Sequence, residues 1–352
     1  MTVVSICAPL SLDPTAAIKE AAARAGATVD VRYEPSILPP QRFPADHAGD
    51  PAWRRSADDA ARWNRLLAGT DIALGVPGDT PAGLLALVAA APAIAWVQGT
   101  AAGAGEQARR AGLAASIAER LVLTSAAGIH ATPLAEFAVF GLLSFVKDLD
   151  RLLRHQRAAN WPGRWPMRQL RGSRVLLLGL GGVGREVARL CAAFGAQVTG
   201  VRRNPDGPVV PGVALTIGLD DLDQALPGSD AVIVTLPGTP ATVGLLDAHR
   251  LAMLPPHAIL VNVGRGTVVD HGALVAALDT GRLRGAVLDV TDPEPLPASS
   301  PLWRRDDVLI SPHTAALRVD EDDRLVDLFA DNLERWLTGR PLRNVVDLTA
   351  GY

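Results

Sequence analysis

The chain has 352 residues, 48% of them apolar, and a formal net charge of −3. This length suits two domains, and the apolar content is ample for two cores. The slightly acidic charge argues against a broad nucleic-acid-binding surface. Cys7 and Cys191 both lie in apolar segments, which favours buried thiols over a disulfide or a metal site.

The first hundred residues alternate between strand and helix patterns. Short apolar runs predict strands over residues 2–8, 28–33, 72–76 and 94–98. Helical patterns begin at Asp13-Pro14, Ser56 and Pro81, and they end at Gly26, Leu67 and Ala91. Strands separated by helices in this way predict a parallel sheet covered on both faces.

No segment of the sequence predicts a leader or a membrane span. Met1 to Leu10 lacks a basic n-region and has the pattern of a first strand. The longest apolar stretch, Leu84 to Val97, is interrupted by Pro92 and is too short to cross a bilayer. We therefore expect a soluble cytoplasmic protein.

The second half of the chain continues the alternation. A long helix is predicted from Thr132 to His155, followed by a tryptophan- and arginine-rich connector from Arg157 to Arg171. The last helix is predicted from Asp320 to Leu337, with an apolar stripe along one face. Buried strands are predicted over residues 197–201, 231–236, 258–263, 285–290 and 308–311.

The most informative motif is the glycine turn Gly179-Leu180-Gly181-Gly182-Val183-Gly184. It follows the apolar run Val175–Leu178 and precedes an amphipathic helix predicted from Arg185 to Phe194. Such glycines permit a tight turn, close backbone approach to a pyrophosphate, and close helix–strand packing. The helix N-terminus adds N–H groups and a positive dipole end. The motif predicts a dinucleotide site, the alternative being a glycine-rich turn that binds nothing.

Three ionisable residues follow predicted parallel strands, at the edge where such sheets bind ligands. Arg265 could bind the carboxylate and keto oxygen of a 2-oxo acid through its rigid fork. His313 could give and take a proton near neutral pH, and Glu294 beside it would favour the imidazolium. Taken separately, each residue has an ordinary alternative as a surface, turn or solvated side chain.

Several motifs together resemble the D-isomer-specific 2-hydroxyacid dehydrogenase family, most closely its glyoxylate/hydroxypyruvate reductase branch. The similarity covers the chain well from about Trp96 to the C-terminus and only loosely before that. It is carried by the glycine turn, by Leu236-Pro237 with Thr242, and by residues 260–270, 285–297, 300–303 and 309–315.

The resemblance implies an α/β fold with two doubly wound parallel-sheet domains. A discontinuous, flavodoxin-like substrate domain would comprise residues 1–124 and 313–352, and a Rossmann cofactor domain residues 125–312. The active site would lie in the cleft between them. The resemblance also implies a homodimer through the cofactor domain, with the helix Thr132 to His155 as a candidate interface. We expect no nucleic-acid or membrane partner.

The resemblance also implies roles for individual residues. Arg265 would bind the substrate carboxylate and carbonyl oxygen, and His313 would be the acid/base, hydrogen-bonded to Glu294. The backbone amides of Gly99, Thr100 and Ala101 would bind the carboxylate of the acid. The cofactor would contact Gly179, Gly181, Gly182, Val183, Gly184, Arg202, Arg203, Leu236, Pro237, Thr242, Val263, Gly264 and Asp289. No metal-ligand spacing is present, and no metal is expected.

The end of the second strand of the cofactor domain indicates which dinucleotide is used. NAD-binding members place an acidic residue there, bonded to the ribose 2′-hydroxyl. Arg202 stands at that position and Arg203 follows it. Two cations can pair with a 2′-phosphate, so NADP is favoured over NAD. The alternative is that both arginines are solvated loop residues and either cofactor serves.

The sequence therefore predicts a reductase that transfers a hydride to a small 2-oxo acid, such as glyoxylate or hydroxypyruvate, giving a D-2-hydroxy acid. One alternative is 3-phosphoglycerate dehydrogenation, which needs cations near the substrate phosphate. Formate dehydrogenation is disfavoured, because such members carry glutamine where Glu294 stands. A third alternative is a nucleotide-sensing binding module of the corepressor type. The physiological acid and the reaction direction do not follow from the sequence.

Overall fold

The apolar runs form short parallel strands, separated by helices. The computed structural model describes residues 1–113 and 115–348, so the last four residues of the predicted substrate domain lie outside the described range. The strands are β1 (Thr2–Ile6), β2 (Val29–Arg32), β3 (Ile72–Leu74), β4 (Trp96–Gln98), β5 (Val122–Thr124), β6 (Arg174–Leu178), β7 (Gln197–Val201), β8 (Leu215–Ile217), β9 (Ala231–Val234), β10 (Ile259–Asn262), β11 (Gly285–Leu288) and β12 (Val308–Ile310).

Helices connect most of these strands. They are α1 (Thr15–Arg24), α2 (Ala57–Leu67), α3 (Pro81–Ala90), α4 (Ala104–Ala111), α5 (Ala115–Ala118), α6 (Ala131–Val146), α7 (Leu149–Arg157), α8 (Gly182–Ala193), α9 (Leu222–Ala225), α10 (Ala248–Met253), α11 (His271–Asp279) and α12 (Glu321–Leu337). Within the described ranges, no helix combines the length and apolar character that a membrane span requires.

The chain divides into a first unit, Met1–His130 with the segment that begins at Leu317, and a second unit, Ala131–Ala316. The domain limits predicted from the sequence are residues 124 and 312. Hydrogen bonds explain why both limits in the structure lie a few residues later in the chain than the predicted ones. Asn344 ties residues 125–127 to the first unit, and Asp289 ties Ala315 to the second.

The first unit contains a parallel sheet with the strand order β2-β1-β3-β4-β5. Helices α1 and α12 pack on one face, and α2, α3 and α4 pack on the other. At the centre of the first face, the fully buried Trp96 stacks on Phe329 with 5.0 Å between ring centroids. The order is that of the flavodoxin-like doubly wound fold, as predicted.

The second unit contains a parallel sheet with the order β12-β11-β10-β9-β6-β7-β8. Alternate residues of each strand enter two separate cores, so that Val175 and Leu177 pack with α6 and α8 while Leu176 and Leu178 pack with α10 and α11. This is the Rossmann order, and the predicted fold class is confirmed for both units. Parallel pairing brings the carboxyl ends of β6, β9, β10, β11 and β12 to one edge of the sheet.

The predicted long helix from Thr132 to His155 is wrong as a single helix. It breaks between α6 and α7, where Asp148 has the left-handed backbone conformation with φ 51°. The carboxylate of Asp148 accepts hydrogen bonds from Trp165 Nε1 at 2.9 Å and from Arg284 Nη2 at 3.0 Å. These partners are distant in sequence, so helical periodicity alone could not reveal the break.

The prediction of buried thiols is confirmed. Cys7 and Cys191 are buried and unbonded to each other. Burial raises the pKa of each thiol to about 12. Neither side chain offers a thiolate near neutral pH.

Candidate active site

The glycine turn joins β6 to α8 through close backbone contacts. Gly179 has φ 103°, a conformation that side chains rarely adopt. A Cβ atom at Gly184 would lie 2.0 Å from the carbonyl oxygen of Gly179, so only glycine lets α8 approach the strand this closely. Thr235, which follows β9, closes the turn, with its hydroxyl 3.1 Å from the carbonyl oxygens of both Leu178 and Gly179.

The N-terminus of α8 is open to an anion. The helix begins at Gly182, so the predicted start at Arg185 is three residues late, because a glycine-rich first turn lacks amphipathic spacing. No side chain caps this end, and Val183 lies in the first turn. A Cβ atom at Gly181 would meet nothing within 4 Å. The exposed N–H groups and this open space fit a dinucleotide pyrophosphate.

Arg265 lies on a narrow turn after β10. A Cβ atom at Gly264 would lie 2.5 Å from the carbonyl oxygen of Leu236, and one at Gly266 would lie 2.0 Å from that of Thr291. The two glycines therefore let this turn pack directly between the segments that follow β9 and β11. Arg265 Nη1 donates to the carbonyl oxygen of Gly264 at 2.8 Å.

Asn262, which was not among the predicted site residues, holds the same turn. Its Nδ2 donates to the carbonyl oxygen of Arg265 at 3.0 Å, and its Oδ1 accepts from the N–H of Gly264 at 3.1 Å. The side chain is buried. An asparagine at a strand end is a common turn-forming residue, which is the signal that could have identified it.

The segment after β9 is locked by one hydroxyl group. Thr242 Oγ1 lies 2.5 Å from the carbonyl oxygen of Pro237 and accepts from the N–H of Thr239 at 2.8 Å. Thr242 and Val263 are both buried. Thr242 thus shapes the loop through its own hydrogen bonds, and Leu236 contributes the backbone that Gly264 touches.

His313 and Glu294 come together after β12 and β11. His313 Nδ1 lies 2.5 Å from Glu294 Oε1, and the two side chains are 45% and 42% exposed. A pair this exposed adds little to stability, so its main effect is to orient the imidazole. The hydrogen bond occupies Nδ1, which leaves Nε2 as the nitrogen that can exchange a proton with a ligand.

Asp289 holds the turn that carries His313. Its buried carboxylate accepts from Ser311 Oγ at 2.7 Å and from the N–H of Ala315 at 3.1 Å. Its carbonyl oxygen accepts from the N–H of His313 at 2.9 Å. These bonds maintain His313 at φ 54°, a strained left-handed conformation for a residue with a side chain. Ser311 was not identified from the sequence as part of this arrangement.

Arg202 and Arg203 follow β7 at the same edge of the sheet. The side chain of Arg203 is exposed, whereas Arg202 is half-buried and donates to backbone carbonyls of the loop that follows. The two arginines therefore differ in their surroundings, which the sequence could not show.

Gly99, Thr100 and Ala101 lie in the first unit, at the carboxyl end of β4. The N–H of Gly99 donates to the carbonyl oxygen of Thr124 at 2.7 Å. Thr100 is buried, with its Oγ1 3.3 Å from Asp79 Oδ1. The structure thus brings His313 and Glu294 into contact and places Arg265 on the neighbouring strand end, while these three residues belong to the other unit.

The second unit therefore joins an open helix N-terminus with a rigidly held cation and an exposed imidazole–carboxylate pair. An open helix N-terminus binds phosphate groups, a guanidinium binds carboxylate or carbonyl oxygens, and an oriented imidazole transfers protons. A residue set of this kind suits carbonyl reduction by a bound dinucleotide.

Comparisons with known proteins point to one family. Residues 139–315, about half of the chain, match the model for the NAD binding domain of D-isomer specific 2-hydroxyacid dehydrogenases. Glyoxylate/hydroxypyruvate reductase A from Salmonella newport is 33% identical over 217 residues, which are 62% of this chain and 68% of that protein.

Solved structures extend the similarity to the whole chain. A D-isomer specific 2-hydroxyacid dehydrogenase from Xanthobacter autotrophicus Py2, in complex with NADPH and MES, has a TM-score of 0.76 and 30% identity and covers 100% of this chain and 99% of that chain. The NADPH-dependent glyoxylate/hydroxypyruvate reductase from Sinorhizobium meliloti, in complex with NADP and sulfate, has a TM-score of 0.75 and 26% identity over the full length of both chains. With its dinucleotide cradle and its full-length structural relatives, this chain belongs to the D-isomer specific 2-hydroxyacid dehydrogenases, a family of oxidoreductases that bind a nicotinamide dinucleotide.

Proposed function

We propose that this protein reduces small 2-oxo acids to D-2-hydroxy acids, with glyoxylate and hydroxypyruvate as the best substrates and NADPH as the preferred cofactor. The observation that carries the proposal is the hydrogen bond between His313 Nδ1 and Glu294 Oε1, on a turn that Asp289 holds. Relatives named glyoxylate/hydroxypyruvate reductase support the substrate class.

In the proposed reaction, each residue has a defined role. Arg265 binds the carboxylate and the carbonyl oxygen of the substrate, and the backbone amides of Gly99 to Ala101 bind the carboxylate from the first unit. His313 Nε2 donates a proton to the carbonyl oxygen, while Glu294 stabilises the imidazolium before the transfer. A bound nicotinamide dinucleotide would supply the hydride. The first unit would then serve as the substrate domain and the second as the cofactor domain.

The cofactor preference rests on charge. Arg202 and Arg203 occupy the end of β7, where an acidic side chain would accept a hydrogen bond from the ribose of NAD. A cation at this position favours the additional phosphate of NADP. Two structural relatives contain NADPH or NADP, which supports the same preference.

A panel of 2-oxo acids tests this function. Glyoxylate, hydroxypyruvate, pyruvate and phosphohydroxypyruvate would each be combined with NADPH and with NADH, and oxidation followed at 340 nm. We expect kcat/KM to be highest for glyoxylate or hydroxypyruvate, and at least about 10-fold higher with NADPH than with NADH.

Other outcomes of the panel separate the alternatives. A clear preference for NADH would contradict the cofactor assignment. Turnover confined to phosphohydroxypyruvate would favour the 3-phosphoglycerate reaction. Binding of a dinucleotide without turnover of any acid would favour a nucleotide-sensing module.

We also propose that the protein is a homodimer through the second unit. An apolar groove of about 490 Å³ runs between α6, α7 and α8, and the rings of Phe140 and Phe194 are 51% and 47% exposed at its edge. An apolar surface of this kind suits a second copy of the chain, since the same patch on each subunit can pair about a twofold axis.

Replacing Phe140 with aspartate should dissociate this dimer. A carboxylate at this position would have to lose its hydration within an apolar interface, so we expect the dimer Kd to rise by at least about 100-fold. Light scattering after size exclusion would measure the mass. Phe43→Asp is the matched control, because Phe43 is 45% exposed in the first unit. A Phe140→Asp protein that keeps the wild-type mass would contradict this interface.

A further inference from the structure

The strand order of the first unit indicates where a ligand would bind to it. In the order β2-β1-β3-β4-β5, β2 lies on one side of β1, and β3, β4 and β5 follow on the other, so the switch point lies between β1 and β3. Ligands of doubly wound sheets bind at this point, outside the carboxyl ends of the strands. The segment after β3, residues 75–80, therefore borders the predicted position. It lies beside residues 99–101, which follow the adjacent strand β4.

Asp79, in the segment after β3, is held in a defined orientation. Its backbone has the left-handed conformation, with φ 50°, which aspartate tolerates better than most residues. Gln107 Nε2, from α4, donates to the carbonyl oxygen of Asp79 at 2.9 Å and to its Oδ1 at 3.0 Å. Thr100 Oγ1 donates to the same Oδ1 at 3.3 Å. The carboxylate is therefore fixed against the middle residue of the segment 99–101.

These hydrogen bonds use only one oxygen of the carboxylate. Within residues 1–113 and 115–348, Asp79 Oδ2 accepts no hydrogen bond and the carboxylate forms no ion pair. The side chain is half-buried, and Oδ2 is accessible to a ligand. A carboxylate without a counter-ion weakens the binding of any anion nearby. Its presence beside the proposed carboxylate-binding amides therefore serves to select among acids rather than to add affinity.

The spacing suits the third carbon of a 2-oxo acid. Covalent geometry puts the backbone nitrogen of Thr100 about 3 Å from its own Oγ1, and hence within about 7 Å of Asp79 Oδ1. In hydroxypyruvate, the hydroxyl on C3 lies on the order of 3 to 4 Å from the carboxylate oxygens. A substrate whose carboxylate binds the amides of residues 99–101 can therefore present this hydroxyl to Asp79 Oδ2. A phosphate on the same carbon would meet a like charge there.

We propose that Asp79 determines substrate specificity: Oδ2 accepts a hydrogen bond from the 3-hydroxyl of a hydroxylated 2-oxo acid, and the charge excludes acids with a second anion at C3. This inference rests on the proposed 2-oxo acid reduction and names the substrate class within it. Gln107 is the positioning residue that orients the carboxylate. Dehydrogenation of 3-phosphoglycerate would need a cation near the phosphate, and Asp79 supplies the opposite charge.

Asp79→Asn tests the proposal while keeping the bonds that hold this segment. The amide oxygen of asparagine can still accept from Thr100 and Gln107, and asparagine also tolerates a left-handed backbone. Only Oδ2 changes, from a charged acceptor to a neutral donor. Reduction of hydroxypyruvate, pyruvate and phosphohydroxypyruvate would be followed at 340 nm, with whichever of NADPH and NADH gives the higher wild-type activity.

Two ratios of kcat/KM separate the hydrogen bond from the charge. Hydroxypyruvate and pyruvate carry the same charge and differ in the hydroxyl, so their ratio should fall by about 10-fold in Asp79→Asn, which loses a charge-assisted hydrogen bond. The ratio of phosphohydroxypyruvate to hydroxypyruvate should rise by at least about 10-fold, because a like charge is removed. This rise should shrink between about 0.05 M and about 0.5 M salt, since salt screens the repulsion.

Gln107→Leu keeps the charge of Asp79 but removes the donor that orients it. The ratio of hydroxypyruvate to pyruvate should fall by about 3- to 10-fold, whereas the ratio of phosphohydroxypyruvate to hydroxypyruvate should change by less than about 3-fold. A hydrogen bond depends on direction far more than a Coulomb interaction does. Asp58→Asn controls for net charge, because Asp58 is exposed in the first turn of α2. It should change both ratios by less than about 2-fold.

Unchanged ratios in Asp79→Asn, with a wild type that reduces hydroxypyruvate, would overturn the inference and leave the proposed function intact. An equal loss of activity towards all three acids would also overturn it, since Asp79 would then only maintain the fold of its segment. A wild type that preferred phosphohydroxypyruvate to hydroxypyruvate would contradict the exclusion of a second anion. If the wild type reduced none of the acids with either dinucleotide, the proposed function itself would fail, and the inference with it.

Discussion

Replacing His313 with glutamine should lower kcat for 2-oxo acid reduction by about 1000-fold, the typical contribution of a positioned acid or base. Glutamine can donate a hydrogen bond but cannot deliver a proton near neutral pH. The backbone at this position already has a left-handed conformation, with φ 54°. Glutamine, like histidine, is not β-branched, so the turn should accommodate it and the variant tests mainly the imidazole.

The same variant should bind the dinucleotide normally, because the proposed pyrophosphate site is the glycine turn with the N-terminus of α8, whereas the hydrogen bonds of His313 run to Asp289 and Glu294. Fluorescence titration should give a Kd for NADPH within about 2-fold of the wild type. His257→Gln is a matched control, since His257 is 42% exposed and its Nε2 lies 2.8 Å from Asp230 Oδ1, next to the amino ends of β9 and β10. It should retain full activity. Near-normal turnover in His313→Gln would refute the assignment of the acid.

The features that the sequence predicts well are those encoded over a few neighbouring residues. The turn from Gly179 to Gly184 has its own spacing, and the alternation of apolar strands with helices is enough to predict two parallel sheets. Arg265, Glu294 and His313 each stand in a short motif after a strand. Their place at one edge of the sheet then follows from the parallel strand order.

Features that depend on distant partners could not be predicted in this way. The break at Asp148 depends on Trp165 and Arg284, and the enclosure of Arg202 depends on how the next six residues fold back. Asn262 and Ser311 hold the turns of Arg265 and His313 through hydrogen bonds that no periodicity reveals. The sequence therefore indicates which groups react, but not which groups hold them in place.

A buried hydrogen-bond network in the first unit is the clearest case of a feature that depends on partners distant in the sequence. Asp322, in the first turn of α12, is 3% exposed. Its Oδ2 accepts from the N–H and the hydroxyl of Ser11, both at 2.7 Å, and from Gln41 Nε2 at 3.2 Å. Its Oδ1 lies 2.7 Å from His47 Nε2. One carboxylate thus joins the loop after β1 and the segment between β2 and α2 to the last helix.

Replacing Asp322 with asparagine should destabilise the protein by about 3 kcal/mol, because the new amide presents donors to groups that are themselves donors. Urea unfolding followed by tryptophan fluorescence would measure the loss. Asp323→Asn removes the same charge from an exposed position on the same helix turn. That control should change the free energy of unfolding by less than about 0.5 kcal/mol.

The charge of Asp322 also predicts how the difference in unfolding free energy between the wild type and Asp322→Asn depends on pH. Burial raises the pKa of the carboxyl, but hydrogen bonds from His47 and Ser11 outweigh that effect and lower it to about 2. The folded-state pKa then lies below the unfolded value of about 3.9, so the stabilisation is complete above pH 4 and is lost as the pH falls through 2. The stability gap between wild type and Asp322→Asn should narrow by about 1 kcal/mol between pH 5 and pH 3. A gap that stays constant would show that the carboxylate acts through its shape and not through its charge.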